Sequence, residues 1–279
     1  NKAVRKEEIH FTRELPPLSV ILCARNEADN LRKALPAILE QDYPQFEVIV
    51  INDASTDETE DVLGFMEEKY PHLYYSFTPD SARYISHKKL ALTLGIKASK
   101  YDWLVFTETN CIPASKDWLK LMARNFTSQT QVVLGYSGYD RTKGWLHKRT
   151  AFDTLFQSLR YLGFALAEKP YMGIGRNLAY RKELFFQQKG FSKYLNLQRG
   201  EDDLFINQLA TPSNTRVETD INATTRINPV YRYKEWKEEK VSYMATARYY
   251  QGTQRYLLGF ETFSRLLFYA ACIIGIALG

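Results

Sequence analysis

Cysteine is scarce in this chain. Its three copies, Cys23, Cys111 and Cys272, lie far apart, with neither a disulfide pattern nor a metal-ligand spacing. A disulfide-stapled scaffold and a thiolate metal site are thereby excluded. Cys23 and Cys111 follow apolar strands and read as reduced core thiols of a cytosolic domain. Glycine is missing from Cys23-Ala24-Arg25-Asn26-Glu27, the loop after the first strand, which argues against the glycine-rich phosphate loop of a sugar nucleotidyltransferase. The polar start through Glu14 is no signal peptide. The uncharged run Leu266 to Gly279 falls short of the roughly 20 residues that cross a bilayer. Internal repeats, low-complexity linkers, a groove-reading helix and an aromatic-basic repeat are all lacking. The net charge of +5 is modest, although Arg13, Lys88, Lys89, Arg141, Lys143, Lys148 and Arg149 recur near polar loops. These features argue against nucleic acid as a partner and fit an anionic nucleotide substrate or an anionic membrane surface.

What is present is a rhythm. Of the residues, 45% are hydrophobic, enough for one large domain with an elaboration. Short β-branched runs at Leu18–Cys23, Phe46–Ile51, Leu73–Phe77 and Asp102–Thr107 predict buried strands. Helices are expected between and after them. The first is capped by Asn26 and carries Leu31, Leu35, Ile38 and Leu39. The second opens at Asp57 with Val62, Phe65 and Met66, the third spans 89–98 with Leu90, Leu94 and Ile96, and a fourth passes through Trp118, Leu119 and Met122. This alternation implies an α/β fold with a mostly parallel, doubly wound sheet. The rhythm then changes. A strand at 132–136, a long helix at 144–167, a strand at 177–180, and helices at 182–188, 202–209 and 233–251 complete the expectation, with an interfacial helix at 256–268.

Polar clusters stand at the strand ends, where open α/β sheets bind ligands. Asp53, with Glu27 and Asn26 after the neighbouring strand, could accept the imide N–H of uracil or ribose hydroxyls; as a turn or helix cap it would be equally ordinary. Lys88 and Lys89 could meet a diphosphate, or be a solvated basic pair. Glu108 and Asn110 offer hard oxygen ligands suited to Mg²⁺ or Mn²⁺. Glu201, Asp202 and Asp203 form a run of three acids, more than a helix start needs, in which mutual repulsion can raise one pKa toward that of a useful base.

The ordered set Ala-Arg-Asn-Glu, Asn-Asp-Ala-Ser-Thr-Asp, Phe-Thr-Glu-Thr-Asn-Cys and Gly-Glu-Asp-Asp-Leu resembles the family 2 glycosyltransferases with a GT-A fold, and among them the bacterial membrane-bound members. The resemblance covers roughly residues 18 to 250. It implies an inverting transferase that moves a sugar from a nucleotide-diphosphate donor, a UDP-sugar by the Asp53 argument, to a saccharide or lipid-linked acceptor in polysaccharide biosynthesis. It places nucleotide binding on Ala24, Arg25, Asn26, Glu27 and Asp53, with Lys88 and Lys89 at the diphosphate. The family's Asp-x-Asp metal motif falls on Glu108-Thr109-Asn110, so a divalent metal, Mn²⁺ or Mg²⁺, would be held weakly, mainly by Glu108, or be dispensable. The Glu-Asp pair falls on Glu201-Asp202, with Asp202 as catalytic base and Asp203 beside it. Gly175, Arg176 and Asn177 match the acceptor-side segment, and Tyr243 joins them.

The Gln-x-x-Arg-Trp motif of processive members survives only as Glu239-Lys240-Val241-Ser242-Tyr243, which argues against a processive synthase. It leaves as the alternative a catalytically degenerate nucleotide-sugar-binding subunit of a membrane complex. The expected organisation is a lead segment 1–17, a catalytic domain 18–232, interface helices 233–265, and at 266–279 the start of a transmembrane helix, both chain ends reading as cut. Trp236, Tyr243, Tyr249, Tyr250, Tyr256, Phe260 and Phe263 are candidates for an interfacial belt on the cytoplasmic face of a bacterial inner membrane.

Overall fold

A computed structural model describes residues 11–79, 86–140, 143–229, 232–252 and 254–278. Arg141 and residues 1–10 of the lead segment lie outside these. The first half alternates as expected: β1 (Leu18–Ala24), α1 (Ala28–Leu39), β2 (Phe46–Asn52), α2 (Thr59–Lys69), β3 (Leu73–Phe77), α3 (His87–Ala98) and β4 (Trp103–Phe106). Strands β1, β2 and β4 are almost wholly buried because helices cover both faces of the sheet, which is why they read as continuous apolar runs. Val20 sits opposite Val48 on one side and Val105 on the other. Leu18, Val20 and Leu22 pack with α1 and α2, while Ile21 faces Leu92 and Ile96 of α3. The carboxyl ends of β1, β2 and β4 therefore open at one edge of the sheet.

The second half adds β5 (Cys111–Pro113), α4 (Trp118–Ala123), β6 (Val132–Leu134), β7 (Ser137–Tyr139), α5 (Trp145–Leu166), β8 (Leu178–Arg181), α6 (Lys182–Gln187), α7 (Asp203–Leu209), β9 (Thr215–Val217), β10 (Thr225–Ile227), α8 (Tyr233–Ala247) and α9 (Gln254–Leu278). A seven-stranded sheet runs β3-β2-β1-β4-β8-β6-β9, and a three-stranded sheet runs β5-β10-β7. Strand β8 is antiparallel to both β4 and β6, so the sheet is mostly rather than wholly parallel. The small sheet fastens the segment after β4 to residues more than a hundred positions later.

Several local expectations are corrected. Asn26 does not cap α1; it adopts φ +54 just before the helix, and the first free N–H, that of Ala28, is taken by the Asp57 carboxylate. Phe65 of α2 points to solvent, while Val62 and Met66 are buried. The fully buried face of α3 is Lys89, Ala91, Leu92, Gly95 and Ile96, with Leu94 packed at its edge against Ile49 and Ile51 and Leu90 half-buried. Gly95 belongs there because a Cβ would stand 2.8 Å from Ile21. Of the aromatic belt, Tyr250 is buried and Trp236, Tyr243 and Tyr249 are half-buried. Tyr256, Phe260 and Phe263 are exposed on α9, a single 25-residue helix that passes through the expected 265/266 boundary. Among the described residues no helix is long and apolar enough to cross a membrane.

Candidate functional site

The loops after β1 and β2 are tied to one another. Asn26 donates its backbone N–H to Ser55 Oγ at 2.9 Å, and its side-chain oxygen accepts the Thr56 N–H at 2.8 Å. Glu27 N–H reaches Thr59 Oγ1 at 3.0 Å. Ala24 is a buried strand residue whose carbonyl accepts the Asp53 N–H at 2.7 Å, so it places Asp53 and offers no side chain of its own. The Asp53 carboxylate, almost fully buried, takes Thr78 Oγ1 at 2.8 Å and faces His87 Nδ1 at 3.1 Å and Arg25 at 3.7 Å. Of these residues Arg25, Glu27, Asp53 and His87, but not Ala24 or Asn26, form one wall of a cleft of about 660 Å³ lined also by Lys88, Glu108, Asn110, Glu201 and the segment 195–199. A separate cavity of about 30 Å³, which shares Lys88, Glu108 and Glu201 with the cleft, is lined by Gly175 and Asp202.

At the cleft floor, acids and bases interlock. Glu108 Oε1 accepts Lys88 Nζ and Oε2 accepts Arg176 Nε, both at 2.9 Å. Burial would raise the Glu108 pKa, but these two cations hold it well below the usual carboxylate range. Burial would likewise discharge Lys88, yet Glu108, Glu201 and Asp202 outweigh it and keep the ammonium charged. Arg176 is set by its carbonyl, which receives the hydroxyls of Thr107 and Thr225, each at 3.1 Å. Lys88 Nζ also stands 3.2 Å from Glu201 Oε1. Neither buried oxygen of Glu201 has a hydrogen bond. A buried carboxylate in that state leaves strong acceptors for hydroxyl donors.

The three consecutive acids have three different surroundings. Glu201 faces the cleft. Asp202, the N-cap of α7, accepts Asp203 N–H at 2.8 Å on one oxygen and Gly175 N–H at 3.0 Å on the other, with Tyr243 Oη at 3.4 Å. Burial, and then Asp202, push the Tyr243 hydroxyl well above its usual range, so it stays a donor. Asp203 turns away into the core and accepts from Thr246 Oγ1 and, at 3.0 Å, Tyr250 Oη. Burial, followed by repulsion from Asp202, raises its pKa. Burial, with repulsion second, thus lifts the pKa of the acid that anchors α8 and does not face the cleft; Asp203 is a strut.

Two further residues are redirected. Lys89 is fully buried and donates to the carbonyls of Tyr194, Leu197 and Arg199, so it is spent on the chain and cannot meet a diphosphate. Asn177 accepts Trp118 Nε1 at 3.0 Å and donates to the Tyr136 and Ala223 carbonyls. It joins three segments beneath the cleft and faces no acceptor. Cys23 and Cys111 are free, and burial pushes both thiols up to about 12; Cys111 is a core thiol, whereas Cys23 is half-buried and lines the cleft. Sequence reasoning missed Arg199. The one available signal was its place before Gly200 and the acid run.

The donor set does not suit a divalent cation. Both Glu108 oxygens are taken by cations, Asn110 is neutral, and its oxygen receives the Cys111 thiol at 3.3 Å. No group of three or more His, Cys, Asp or Glu residues able to hold a metal exists among the described residues.

A mixed sheet with a polar cleft at its carboxyl edge and a paired-acid helix start defines a GT-A-type nucleotide-sugar transferase fold. The chain belongs to the family described as glycosyl transferase family 2, whose model matches residues 19–187. It is 27% identical over 190 residues to the probable glycosyltransferase YdaM of Bacillus subtilis, covering 64% of this chain and 44% of that protein. It is 31% identical over 112 residues to the glycosyltransferase AglE of Haloferax volcanii, covering 39% and 35%. With the poly-beta-1,6-N-acetyl-D-glucosamine synthase of Staphylococcus aureus the identity is 27% over 113 residues, covering 40% and 26%. The chain thus spans less than half the length of these curated relatives. Among solved structures, the mannosyltransferase PcManGT of Pyrobaculum calidifontis, in complex with GDP-Man and Mn²⁺, superposes with a TM-score of 0.60 at 20% identity, covering 82% of this chain and 61% of that one. S. aureus TarS 1-349 with UDP-GlcNAc gives 0.54 at 18%, covering 77% and 59%. At these identities the likeness establishes the fold.

Proposed function

We propose that this chain transfers a sugar, with inversion, from a nucleotide-diphosphate donor to a saccharide or lipid-linked acceptor, with Asp202 as general base. The observation that carries the reading is the division of labour among the acids, which leaves Asp202 held by two N–H donors on a small cavity that shares Lys88, Glu108 and Glu201 with the cleft. In the step, the acceptor hydroxyl gives its proton to Asp202 while its oxygen attacks the anomeric carbon. The bond from that carbon to the diphosphate oxygen breaks, and the nucleoside diphosphate leaves with the electron pair. Lys88 supplies positive charge to the departing group, and Glu201 accepts hydroxyls of the bound sugar. No step is routed through a metal. A UDP-sugar is the favoured donor because Asp53 presents a buried acceptor to an imide N–H. The two structural neighbours hold a GDP-linked and a UDP-linked sugar respectively. Incubation with a panel of UDP- and GDP-sugars tests the reading. Nucleotide release from one of them is expected, and nucleotide binding without turnover of any would favour the non-catalytic subunit instead.

The same reading seats α9 on the cytoplasmic face of a membrane. Tyr256, Phe260, Phe263, Leu266, Phe268, Ile273 and Ile276 are all exposed along it. Removal of residues 257–279 should abolish sedimentation with anionic liposomes, and undiminished sedimentation would refute the placement.

A further inference from the structure

Arg199 occupies the cleft wall formed by residues 195–199. Its backbone is fixed from beneath by Lys89, whose Nζ donates to the Tyr194, Leu197 and Arg199 carbonyls at 2.5, 2.5 and 2.9 Å. All three ammonium donors are consumed, so Lys89 clips the segment in place. Gly200 follows with φ +112, and a Cβ there would also stand 2.7 Å from Leu204. Only glycine turns the chain this way, from Arg199 directly into Glu201. The Arg199 guanidinium lies 4.9 Å from the Tyr243 ring centroid. Among the described residues it makes no hydrogen bond or ion pair.

The other cations around the cleft are matched: Lys88 by Glu108 and Glu201, Arg176 by Glu108, Arg25 by Asp53. An arginine whose planar fork is unspent, in a wall that already holds a sugar-seeking carboxylate, is suited to a phosphate. The poor metal donor set leaves the same need open, since a diphosphate brought into this acid-rich cleft requires countercharge. We propose that Arg199 receives the diphosphate of the nucleotide donor and, with Lys88, supplies the charge that a divalent cation would otherwise bring. This rests on the transferase reading above and names the residue that does the work at its leaving group.

Calorimetry on the full chain tests it, with UMP, UDP, GMP and GDP titrated in EDTA and in Mn²⁺ against the unmodified protein, Arg199→Met and Arg199→Lys. The unmodified protein should bind its preferred diphosphate equally with EDTA and with Mn²⁺. Arg199→Met should weaken that diphosphate by about 10- to 100-fold, the loss of a charge-assisted pair, and leave the monophosphate unchanged, with Arg199→Lys in between. Diphosphate binding that requires Mn²⁺, an Arg199→Met variant as tight as the unmodified protein, or equal weakening of mono- and diphosphate would each overturn the assignment. Absence of any nucleotide binding by the unmodified protein would instead bring down the transferase reading itself.

Discussion

In the loops after β1 and β2, polar side chains are spent on the loops themselves: Asn26 accepts the Thr56 N–H, Ser55 the Asn26 N–H, and Asp57 the Ala28 N–H and the Thr59 hydroxyl. The stretch from Arg199 to Asp203, on the far side of the cleft, is built of the same kinds of residue but engages its cleft-facing groups less: among the described residues the Arg199 guanidinium has no hydrogen bond or ion pair, and the Glu201 carboxylate has no hydrogen bond, only the ion pair to Lys88 at 3.2 Å. The first region uses polarity to hold the shape of its own loops. The second holds its backbone with buried struts, Lys89 and Asp203, and keeps its cleft-facing groups available. Polar residues at strand ends are therefore poor guides to chemistry until their partners are counted.

The sharpest way to break this comparison is to equalise the two regions. Glu201→Gln removes the carboxylate charge that faces the cleft, and on a charged hydrogen bond's worth of about 1.5–3 kcal/mol it should lower kcat/KM by about 10- to 100-fold. The carboxylate has no hydrogen bond to lose and Lys88 keeps its pair with Glu108, so the melting temperature should fall little. A Tm drop with unchanged kinetics would make Glu201 another strut. Asn177→Ala should behave in the opposite sense. It strips the buried Trp118 N–H and two carbonyls of their partner, at a cost of about 1–3 kcal/mol for a buried group left unsatisfied. Urea denaturation should register that loss while the KM for donor is unchanged.

The smallest effect is a slope. Asp203 holds its proton to higher pH in the folded chain than the unfolded value of about 3.9. Between that value and neutrality the unfolded state has released a proton that the folded state keeps, so this group's contribution to stability falls as pH rises. Below about 3.9 both states are protonated and the contribution is flat. Subtracting the stability-pH curve of Asp203→Asn from that of the unmodified protein should expose a falling difference from pH 4 to 7. A difference that rises would mean the carboxylate is ionised in the fold.

The parallel half was legible because a strand covered on both faces must be apolar throughout, so Leu18–Ala24 and Phe46–Asn52 announce themselves. Strands β5, β7, β9 and β10 were not, since three residues carry no periodicity and their pairing is decided by partners distant in sequence. Lys88 and Lys89 look equivalent on paper. One step along α3 turns them about 100° apart, one into the cleft and the other into the core. The acid run was visible as a run, but its division into cleft face, base position and strut depended on Gly175, Tyr243, Thr246 and Tyr250 arriving from elsewhere.

The account stands most directly on Asp202. Single-turnover transfer from the donor the protein accepts should fall by about 10²- to 10⁴-fold in Asp202→Asn, the usual contribution of a general base, while the affinity for the nucleoside diphosphate stays the same. Transfer at the unmodified rate in that variant would contradict it.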